Sequence, residues 1–195
     1  MSRACVVLAT RNPGKLREVA AILAELALRI EPLDASVALP EEGDGYESNA
    51  VAQALAAARA TGCVALGDDS GLEVDALGGA PGPLSARYGG PGLDDAARCA
   101  ALLEALAAIP DEERSARFVC VAALATPQGD VATARGVCEG HLLRAPRGSA
   151  GFGYDPIFAV GAATLAELPA AAKDALSHRG RAFRALLPAL RTHIR

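Results

Sequence analysis

The sequence predicts a mixed α/β fold in which helices cover a single β-sheet. Three observations support this prediction. Strand-like apolar runs alternate with helical patterns in the N-terminal part, a hairpin signal follows from residue 116 onward, and no repeat, linker or low-complexity segment divides the chain. Strand–helix–strand units favour parallel pairing whereas a hairpin pairs antiparallel, so the sheet should contain both.

The first element is predicted as a strand over residues 4–9, followed by a tight loop and a helix that continues through Ala27. Asn12 fits the position before the helix, where a side-chain oxygen accepts from free backbone N–H groups. Pro13 fits the first helical position, where no N–H is needed. The buried face is expected at apolar positions with helical spacing, namely Leu16, Val19, Ala20, Leu23 and Leu26.

An acidic, loop-like stretch over residues 34–45 precedes a second helix, predicted over 47–60 and ending at Gly62. Residues 63–66 are predicted to form a strand because they are a short apolar run bounded by glycine. The motif Gly67-Asp68-Asp69-Ser70-Gly71 should then follow at the end of this strand. Its two acids would therefore leave the sheet.

The later elements rest on turn and capping signals. Asp94 or Asp95 can cap a third helix through Ile109, and Pro127-Gln128-Gly129-Asp130 separates two hairpin strands. Pro188 should bend or interrupt the last helix, because proline lacks the N–H that a helix interior uses. The predicted bounds are 116–126 and 131–137 for the hairpin strands, 148–156 for a loop and 177–192 for the last helix.

Composition limits the class of protein. The chain has 195 residues, 51% of them apolar, and is expected to form one domain over 1–195. No apolar run reaches the ~18 residues of a membrane span and no cleavage-like signal is present, so we expect a cytoplasmic protein without membrane contacts. A net charge of −4 without a basic stripe argues against nucleic acid as a partner. The five cysteines are scattered without CxxC spacing, which indicates neither a disulfide framework nor a zinc site.

The loop that enters the first helix is a candidate phosphate site. Cations at Arg11, Lys15 and Arg17 lie where the helix N-terminus is itself partly positive, which an anionic ligand would offset. Backbone N–H groups, the Thr10 hydroxyl, the Asn12 amide and the Lys15 ammonium could together bind phosphate. The alternative is an ordinary solvated first turn. The loop is not a Walker motif, because GxxxxGK[ST] is absent.

Lysine usage gives a second indication. Of the 19 basic side chains, only Lys15 and Lys173 are lysine and the remaining 17 are arginine. These two positions can therefore require an ammonium, which fits among phosphate oxygens or against a keto oxygen where a planar guanidinium does not. Chance is the alternative explanation.

Carboxylates form a candidate metal site. Glu41 and Glu42 lie in a loop, and Asp68 and Asp69 follow an apolar strand, where adjacent acids are costly to bury without a positive partner. Magnesium takes one or two carboxylates together with water and substrate phosphates. A nearby carboxylate could also accept the proton of an attacking water. A capped turn at Asp69 is the alternative.

Two further segments are candidates for binding a planar base. Three of the seven aromatic residues fall within residues 151–158, and the glycines around Phe152 favour an exposed ring on which a base can stack. Ser177-His178-Arg179 combines a helix cap with donors for a keto oxygen and a ring nitrogen. The alternatives are a satellite core cluster for the first segment and a basic surface turn for the second.

The order of these motifs along the chain is specific. The motifs are Thr10-x-Asn12-x-x-Lys15, Asp68-Asp69-Ser70-Gly71, Leu77-Gly78-Gly79-Ala80-Pro81-Gly82 with Ser85-Ala86-Arg87-Tyr88, Gly151-Phe152-Gly153-Tyr154-Asp155-Pro156, and Ser177-His178-Arg179. Together they resemble the inosine triphosphate pyrophosphatase family, also called the Ham1 family, over essentially the whole chain.

The resemblance implies an elongated mixed α/β fold with two lobes, a central active-site cleft and a homodimer. It also implies Mg²⁺-dependent hydrolysis of noncanonical purine nucleoside triphosphates such as ITP, dITP and XTP to the monophosphate and pyrophosphate. Water would attack the α-phosphorus. Asp69 would accept the proton, Glu41 and Asp69 would serve the metal, and Ser70 would touch the substrate.

The same resemblance assigns the two ends of the substrate. The triphosphate would contact the first loop, at Thr10, Arg11, Asn12, Pro13, Gly14 and Lys15. The base would stack on and be bordered by Phe152, Gly153, Tyr154 and Asp155, and its edge would be read by Lys173, His178 and Arg179.

Two features depart from the bacterial pattern. Gln53 stands where relatives commonly carry a phosphate-contacting lysine, and Ser48 stands where they carry an acid, so phosphate affinity would be weaker unless Arg59 compensates. The choice between Glu41 and Glu42 as metal ligand also stays open.

Two other functions are compatible with part of the pattern. A Maf-like pyrophosphatase acting on modified nucleotides should lack Ser177-His178-Arg179 and the motif around Phe152. A non-catalytic purine nucleotide sensor would be expected to have lost Asp69 or Lys15. This chain has all of these features.

Overall fold

The computed structural model describes residues 5–26 and 28–194. Within them the strands are β1 (Cys5–Leu8), β2 (Arg29–Pro32), β3 (Val64–Val74), β4 (Pro81–Gly82), β5 (Ser115–Ala125), β6 (Val131–Leu142), β7 (Phe158–Val160) and β8 (Ala163–Thr164). The α-helices are α1 (Pro13–Ile22), α2 (Tyr46–Thr61), α3 (Asp95–Ala105), α4 (Ala170–Leu176) and α5 (His178–His193).

The strands form one mixed sheet, as predicted. Its order is β2-β1-β3-β5-β6-β7-β8, with β4 paired to β3 beside this path. β1 pairs parallel with β2 and β3, whereas every pairing from β3 onward is antiparallel. The parallel part comes from the early strand–helix–strand units, and the predicted hairpin β5–β6 belongs to the antiparallel part.

Three apolar clusters hold the helices on this sheet. On one face α1 and α5 pack on the central strands, with Val19 and Phe183 among the buried residues. On the other face the alanine-rich α2 packs through Ala50, Ala54 and neighbouring small residues. A third cluster joins α3 to the distal ends of β3, β5 and β6. The fold therefore has two lobes, one around α1, α2 and α5 and the other around α3.

Helix ends largely follow the predicted signals. Asn12 caps α1 with bonds from the N–H groups of Gly14 and Lys15 at 2.7 and 3.2 Å. Asp94 caps α3, and Ser177 caps α5. Gly62 ends α2 with a φ of 68°, a left-handed conformation that glycine adopts without steric cost.

The strand carrying the two acids is longer than predicted. β3 continues through Val74, so Asp68, Asp69 and Ser70 lie inside the strand and not at its end. The reason is its antiparallel partner, because β5 pairs with β3 from Ala65 to Val74 and supplies the backbone hydrogen bonds that continue the ladder. A sequence window that ends at the acids cannot reveal this distant partner.

Other bounds also differ from prediction. α1 ends at Ile22. Its predicted apolar face is largely confirmed, because Leu16, Val19, Leu23 and Leu26 belong to the core or pack against it. Ala20 is exposed, and Ile22 is buried in addition to the predicted set. The predicted helix end at Ala27 and the predicted strand start at residue 4 fall outside the described residues. α5 runs through Pro188 without interruption. The short elements β2, β7, β8 and α4 were not predicted.

Gly136 explains how α5 reaches the sheet. A Cβ at this position in β6 would collide with the His178 carbonyl oxygen and the Ala182 nitrogen, so only glycine permits this approach. The close contact places the first turn of α5 over the sheet. Among residues 5–26 and 28–194, no helix is long and apolar enough to cross a membrane.

Candidate active site

A cleft between the two lobes collects most of the predicted site residues. The strand β3 forms its floor, α1 and α5 one wall, and the loop before β7 with the start of α3 the other. Its lining includes Asn12, Lys15, Glu42, Asp69, Ser70, Ser85, Asp95, Arg98, Phe118, Phe152, Gly153, Tyr154, Asp155, Lys173, His178 and Arg179.

The loop before α1 contributes only part of its predicted set. Asn12 and Lys15 line the cleft. Thr10 is buried and its hydroxyl accepts from the Asn12 N–H at 3.1 Å, so it shapes the loop. Arg11 is exposed and donates to the carbonyls of Ala35 and Val37, away from the cleft lining. Pro13 begins the helix, and Gly14 lies behind Phe152.

Alternation along β3 separates the roles of the two acids. Successive side chains in a strand point to opposite faces, so Asp68 and Asp69 have different surroundings. Asp68 lies 3.2 Å from the Lys15 Nζ and 3.1 Å from the Arg179 Nε. Burial alone would raise the pKa of Asp68, but Lys15 and Arg179 together lower it to about 2. Asp68 is therefore a fixed negative charge that holds two cations at the cleft.

Asp69 faces the acidic side of the cleft. Its Oδ2 accepts from Asn49 Nδ2 at 2.8 Å, and its Oδ1 accepts from the Ser70 N–H at 2.8 Å. Burial raises the pKa of Asp69 despite the opposing effects of Asn49 and Lys15, and the charge of Glu42 reinforces the rise. A carboxylate with a raised pKa is a better proton acceptor than a free aspartate.

Glu42, and not Glu41, lies on the cleft. Glu42 lines it next to Asp69, whereas Glu41 is exposed and outside the lining. The two oxygens of Glu42 accept from Gln53 Nε2 at 3.2 Å and from Arg87 at 3.0 Å. Gln53 therefore positions an acid in this chain. Arg59 is exposed and does not line the cleft, so the compensation expected from it has no support in the geometry.

The aromatic loop forms the opposite wall. The Phe152 ring lines the cleft, with the Lys173 ammonium 4.9 Å and the Arg179 guanidinium 5.6 Å from its centroid. Asp155 accepts from the Phe152 N–H at 2.8 Å, which fixes the loop backbone. Tyr154 is buried and donates to the Ser85 carbonyl at 2.8 Å, so its hydroxyl bonds to the protein's own backbone.

A buried ion network joins the lysine and arginine that were predicted to read the base. Glu18, on α1, accepts from Lys173 at 2.6 Å and from Arg179 at 2.5 Å. Lys173 also contacts Asp155 at 2.5 Å, and Arg179 donates to Ser70 Oγ at 3.1 Å. Both cations are thus held in place by carboxylates before any ligand binds, and fewer of their N–H groups are free.

His178 lies beside this network in neutral form. It is buried and stacks on Phe118, with ring centroids 4.7 Å apart and an interplanar angle of 12°. Burial, reinforced by Arg179 and Lys173, keeps the pKa of His178 well below its usual range. Within the described part of the chain its Nδ1 has no hydrogen-bond partner. A neutral imidazole in the cleft lining can donate from one nitrogen and accept at the other.

Comparison with known proteins now identifies the fold. A model of the Ham1 family matches residues 6–189. The chain belongs to the Ham1 family. A HAM1 protein from Coxiella burnetii has the same architecture, with a TM-score of 0.86 at 44% identity over 97% of this chain and 99% of that one. A dITP/XTP pyrophosphatase from Mycobacterium abscessus aligns with a TM-score of 0.73 at 44% identity, over 95% and 99% of the two chains.

Sequence relatives agree with the structural neighbours. The dITP/XTP pyrophosphatase of Geobacter sulfurreducens is 51% identical over 183 residues, which cover 91% of this chain and 92% of the relative. The dITP/XTP pyrophosphatase of Thermus thermophilus is 51% identical over 188 residues, covering 94% and 90% of the two chains.

The site of this Ham1 protein also contains residues that its sequence motifs do not include. Glu18 and Asn49 bind site residues directly, and Asp95 and Arg98 line the cleft. Glu18 follows Lys15 by three residues on one helix face, which was the available signal. Asn49 gave no signal of its own, because its partner Asp69 is 20 residues away.

Proposed function

We propose that this chain hydrolyses noncanonical purine nucleoside triphosphates, such as ITP, dITP and XTP, to the nucleoside monophosphate and pyrophosphate. The observation that carries the proposal is the division of one cleft into two ends. An acidic end contains Asp69 and Glu42 near the Lys15 ammonium, and an aromatic end contains Phe152 and the neutral His178. The relatives in the Ham1 family that carry the name dITP/XTP pyrophosphatase support the same reaction.

The phosphate end rests on Lys15 and Asn12. The Lys15 ammonium lies 3.0 Å from the Asp68 carbonyl oxygen and is partly exposed to the cleft, so it can reach phosphate oxygens while Asp68 holds it. The Asn12 side chain caps α1, whose N-terminus favours an anion nearby. Binding there would place the α-phosphorus beside β3.

The acidic end suits Mg²⁺. Glu42 and Asp69 are hard oxygen donors that repel one another across the cleft, and a cation between them would relieve that repulsion. We therefore assign the metal to Asp69 with Glu42 in place of the expected Glu41. When bound, the ion would neutralise phosphate charge and make the α-phosphorus more open to attack.

The proton of the attacking water passes to Asp69. Asn49 and the Ser70 N–H fix the plane of its carboxylate, so its free lone pairs point in a defined direction. Water attacks the α-phosphorus, a new P–O bond forms as the bond to the bridging oxygen breaks, and pyrophosphate leaves. Ser70 lies close enough to line the same space.

The residues at the base end would favour a 6-keto purine. The base would stack on Phe152, with Gly153 leaving the backbone bare and Asp155 fixing the loop. The remaining N–H groups of Arg179 and Lys173 can donate to a keto oxygen but cannot accept, so an adenine amino group would face these donors. Neutral His178 can add a further donor to the keto oxygen. Each buried donor left unpaired costs about 1–3 kcal/mol, which gives discrimination against ATP.

The proposal also covers the oligomeric state and the cellular location of the protein. We propose that the enzyme is a cytoplasmic homodimer, in keeping with its family. Light scattering on the purified protein tests the dimer: a mass of twice the 19.8 kDa chain is expected, and a monomeric mass would contradict it.

A substrate panel tests the reaction. Pyrophosphate release is measured with Mg²⁺ from ITP, dITP, XTP, GTP and ATP, with EDTA as the metal-free control. We expect kcat/KM for ITP and XTP to exceed that for ATP by on the order of 100-fold. Equal rates for all five, release of orthophosphate in place of pyrophosphate, or tight ITP binding without turnover would each contradict the proposal.

A further inference from the structure

One face of α3 forms hydrogen bonds with both the N–H and the carbonyl group of Gly153. The Gly153 N–H donates to Asp95 Oδ2 at 2.7 Å. The Gly153 carbonyl accepts from Cys99 Sγ at 3.4 Å. Asp95 and Cys99 are four residues apart in the helix, so they lie one above the other on the same side. One side of α3 therefore holds Gly153, and with it the loop over residues 151–156, by two hydrogen bonds.

The protonation states of the Asp95 carboxylate and the Cys99 thiol match these two hydrogen bonds. A carboxylate only accepts, which matches the N–H, and a thiol must keep its proton to donate to the carbonyl. Burial, reinforced by the Asp95 charge, raises the pKa of the Cys99 thiol to about 11, so it stays protonated near neutral pH. Gly153 has a φ of 59°, a conformation in which glycine meets no steric cost.

Phe152 is the residue that these contacts control. Its own N–H is bound by Asp155, and the next N–H along the chain is bound by Asp95. The backbone that carries the Phe152 ring is thus tied on one side to its own loop and on the other to α3. Asp95 also lines the cleft with the Phe152 ring. The hydrogen bonds of Lys15 and Asp69 go to other residues, namely Asp68, Asn49 and Ser70.

We propose that Asp95 is a positioning residue for the purine base: with Cys99 it fixes Gly153 and so sets the place of the Phe152 ring. The inference rests on the proposed function for the identity of the ligand. Loss of Asp95 should weaken binding of the base and leave proton transfer at Asp69 unaffected. It should also leave the phosphate end unaffected.

The test compares Asp95 with its neighbour. Asp94→Ala is the matched control, because Asp94 caps the same helix by accepting from the Ala97 N–H, whereas Asp95 is the acid that accepts from the Gly153 N–H. Asp95→Ala removes the acceptor, whereas Asp95→Asn retains a carbonyl oxygen. Dissociation constants for IMP and for pyrophosphate are measured by calorimetry. Steady-state kinetics with ITP give kcat and KM, and thermal unfolding gives Tm.

For Asp95→Ala we expect the KM for ITP and the dissociation constant for IMP to rise roughly tenfold, about the effect of losing one charge-assisted hydrogen bond. The constant for pyrophosphate should be unchanged and kcat should change less than about threefold. Asp95→Asn should recover most of the IMP affinity. Asp94→Ala should lower Tm by a few degrees with KM unchanged.

An unchanged IMP constant in Asp95→Ala would overturn the inference, and so would equal losses for IMP and pyrophosphate. A rise in KM that Asp94→Ala reproduces would also overturn it, because the effect would then belong to helix stability. Wild-type protein that binds IMP but releases no pyrophosphate from ITP would contradict the proposed function alone. The binding comparison still decides the role of Asp95 in that case, since it needs no turnover.

Discussion

Asn49 donates a hydrogen bond to Asp69 Oδ2 at 2.8 Å, and both side chains are buried. The other carboxylate oxygen accepts from the Ser70 N–H. Two donors from different elements, α2 and β3, therefore determine how the Asp69 carboxylate faces the cleft. The fold therefore fixes the orientation of Asp69, the proposed general base.

Asp69→Asn should reduce kcat for ITP by at least 100-fold, because an amide cannot accept the proton of the attacking water. Nucleotide binding should change only a few-fold. The amide NH₂ will also face a donor, either Asn49 or the Ser70 N–H, so we expect a stability loss of about 1–3 kcal/mol. Steady-state kinetics, a binding titration and urea unfolding measure the three effects.

The control for this variant is Asp75→Asn, an exposed acid just beyond the same strand, which should leave kcat unchanged. Retention of more than about a tenth of wild-type kcat in Asp69→Asn would exclude Asp69 as the general base.

Lys15→Arg should lower kcat/KM for ITP by more than about tenfold although the charge is kept. The ammonium lies 3.0 Å from the Asp68 carbonyl oxygen and 3.2 Å from its carboxylate, a compact site into which a planar guanidinium does not fit. Arg59→Lys, on the exposed side of α2, is the matched exchange and should have no effect. Unchanged kcat/KM in Lys15→Arg would remove the requirement for lysine.

Arg179→Ala should narrow the ITP-to-ATP preference, whereas Lys15→Ala should lower kcat/KM for both nucleotides by similar factors. Both side chains contact Asp68, but their other neighbours differ. Arg179 lies 5.6 Å from the centroid of the Phe152 ring on which the base would stack, whereas Lys15 lies in the first turn of α1, where phosphate would bind. Arg179→Ala also leaves Glu18 and Asp68 without this buried partner, which should destabilise the fold by about 3–5 kcal/mol. kcat/KM is therefore measured well below the Tm of the variant.

Arg179→Lys provides a second variant that keeps the charge but cannot bind Glu18, Asp68 and Ser70 at once. If the ratio of kcat/KM for ITP to kcat/KM for ATP is the same in both Arg179 variants and in wild type, Arg179 has no part in recognising the base.

His178 should give the protein a specific loss of stability in mild acid. Its pKa lies well below the ordinary 6.5 in the folded state, mainly because it is buried, so below about pH 6.5 the unfolded chain binds a proton that the folded chain does not. Stability should then fall by up to about 1.4 kcal/mol per pH unit as the pH decreases. Urea unfolding between pH 7.5 and about 5 measures this slope.

The comparison is with His178→Asn, which keeps a polar side chain but does not titrate in this range. The variant should show a shallower slope than wild type. Parallel slopes would mean that His178 is not held neutral by burial.

Local sequence signals predicted several caps and turns correctly. The cap at Asn12, the left-handed end at Gly62 and the turn between β5 and β6 depend on residues that are neighbours in the chain. The same signals failed for β3, whose length is set by pairing with β5 about 50 residues later. Short elements such as β2 escaped notice because four residues carry little pattern.

The site shows the same division. Motif order indicated Lys15, Asp69 and Phe152, and the fold brings all three to one cleft. The order of the motifs could not indicate that Glu42 and not Glu41 faces Asp69, because a loop has no periodicity from which the direction of a side chain follows. The spacing of Glu18 from Lys15 placed both on one face of α1, but the motifs did not reveal the two partners of Glu18, which lie more than 150 residues away.

The position of bond cleavage tests the proposed reaction most directly. ITP is hydrolysed by the wild-type protein with Mg²⁺ in water enriched in ¹⁸O, and the products are separated and analysed by mass spectrometry. Attack of water on the α-phosphorus puts one ¹⁸O atom into IMP and none into pyrophosphate, which is the result we predict. Label in pyrophosphate, or IDP and orthophosphate as the products, would contradict it.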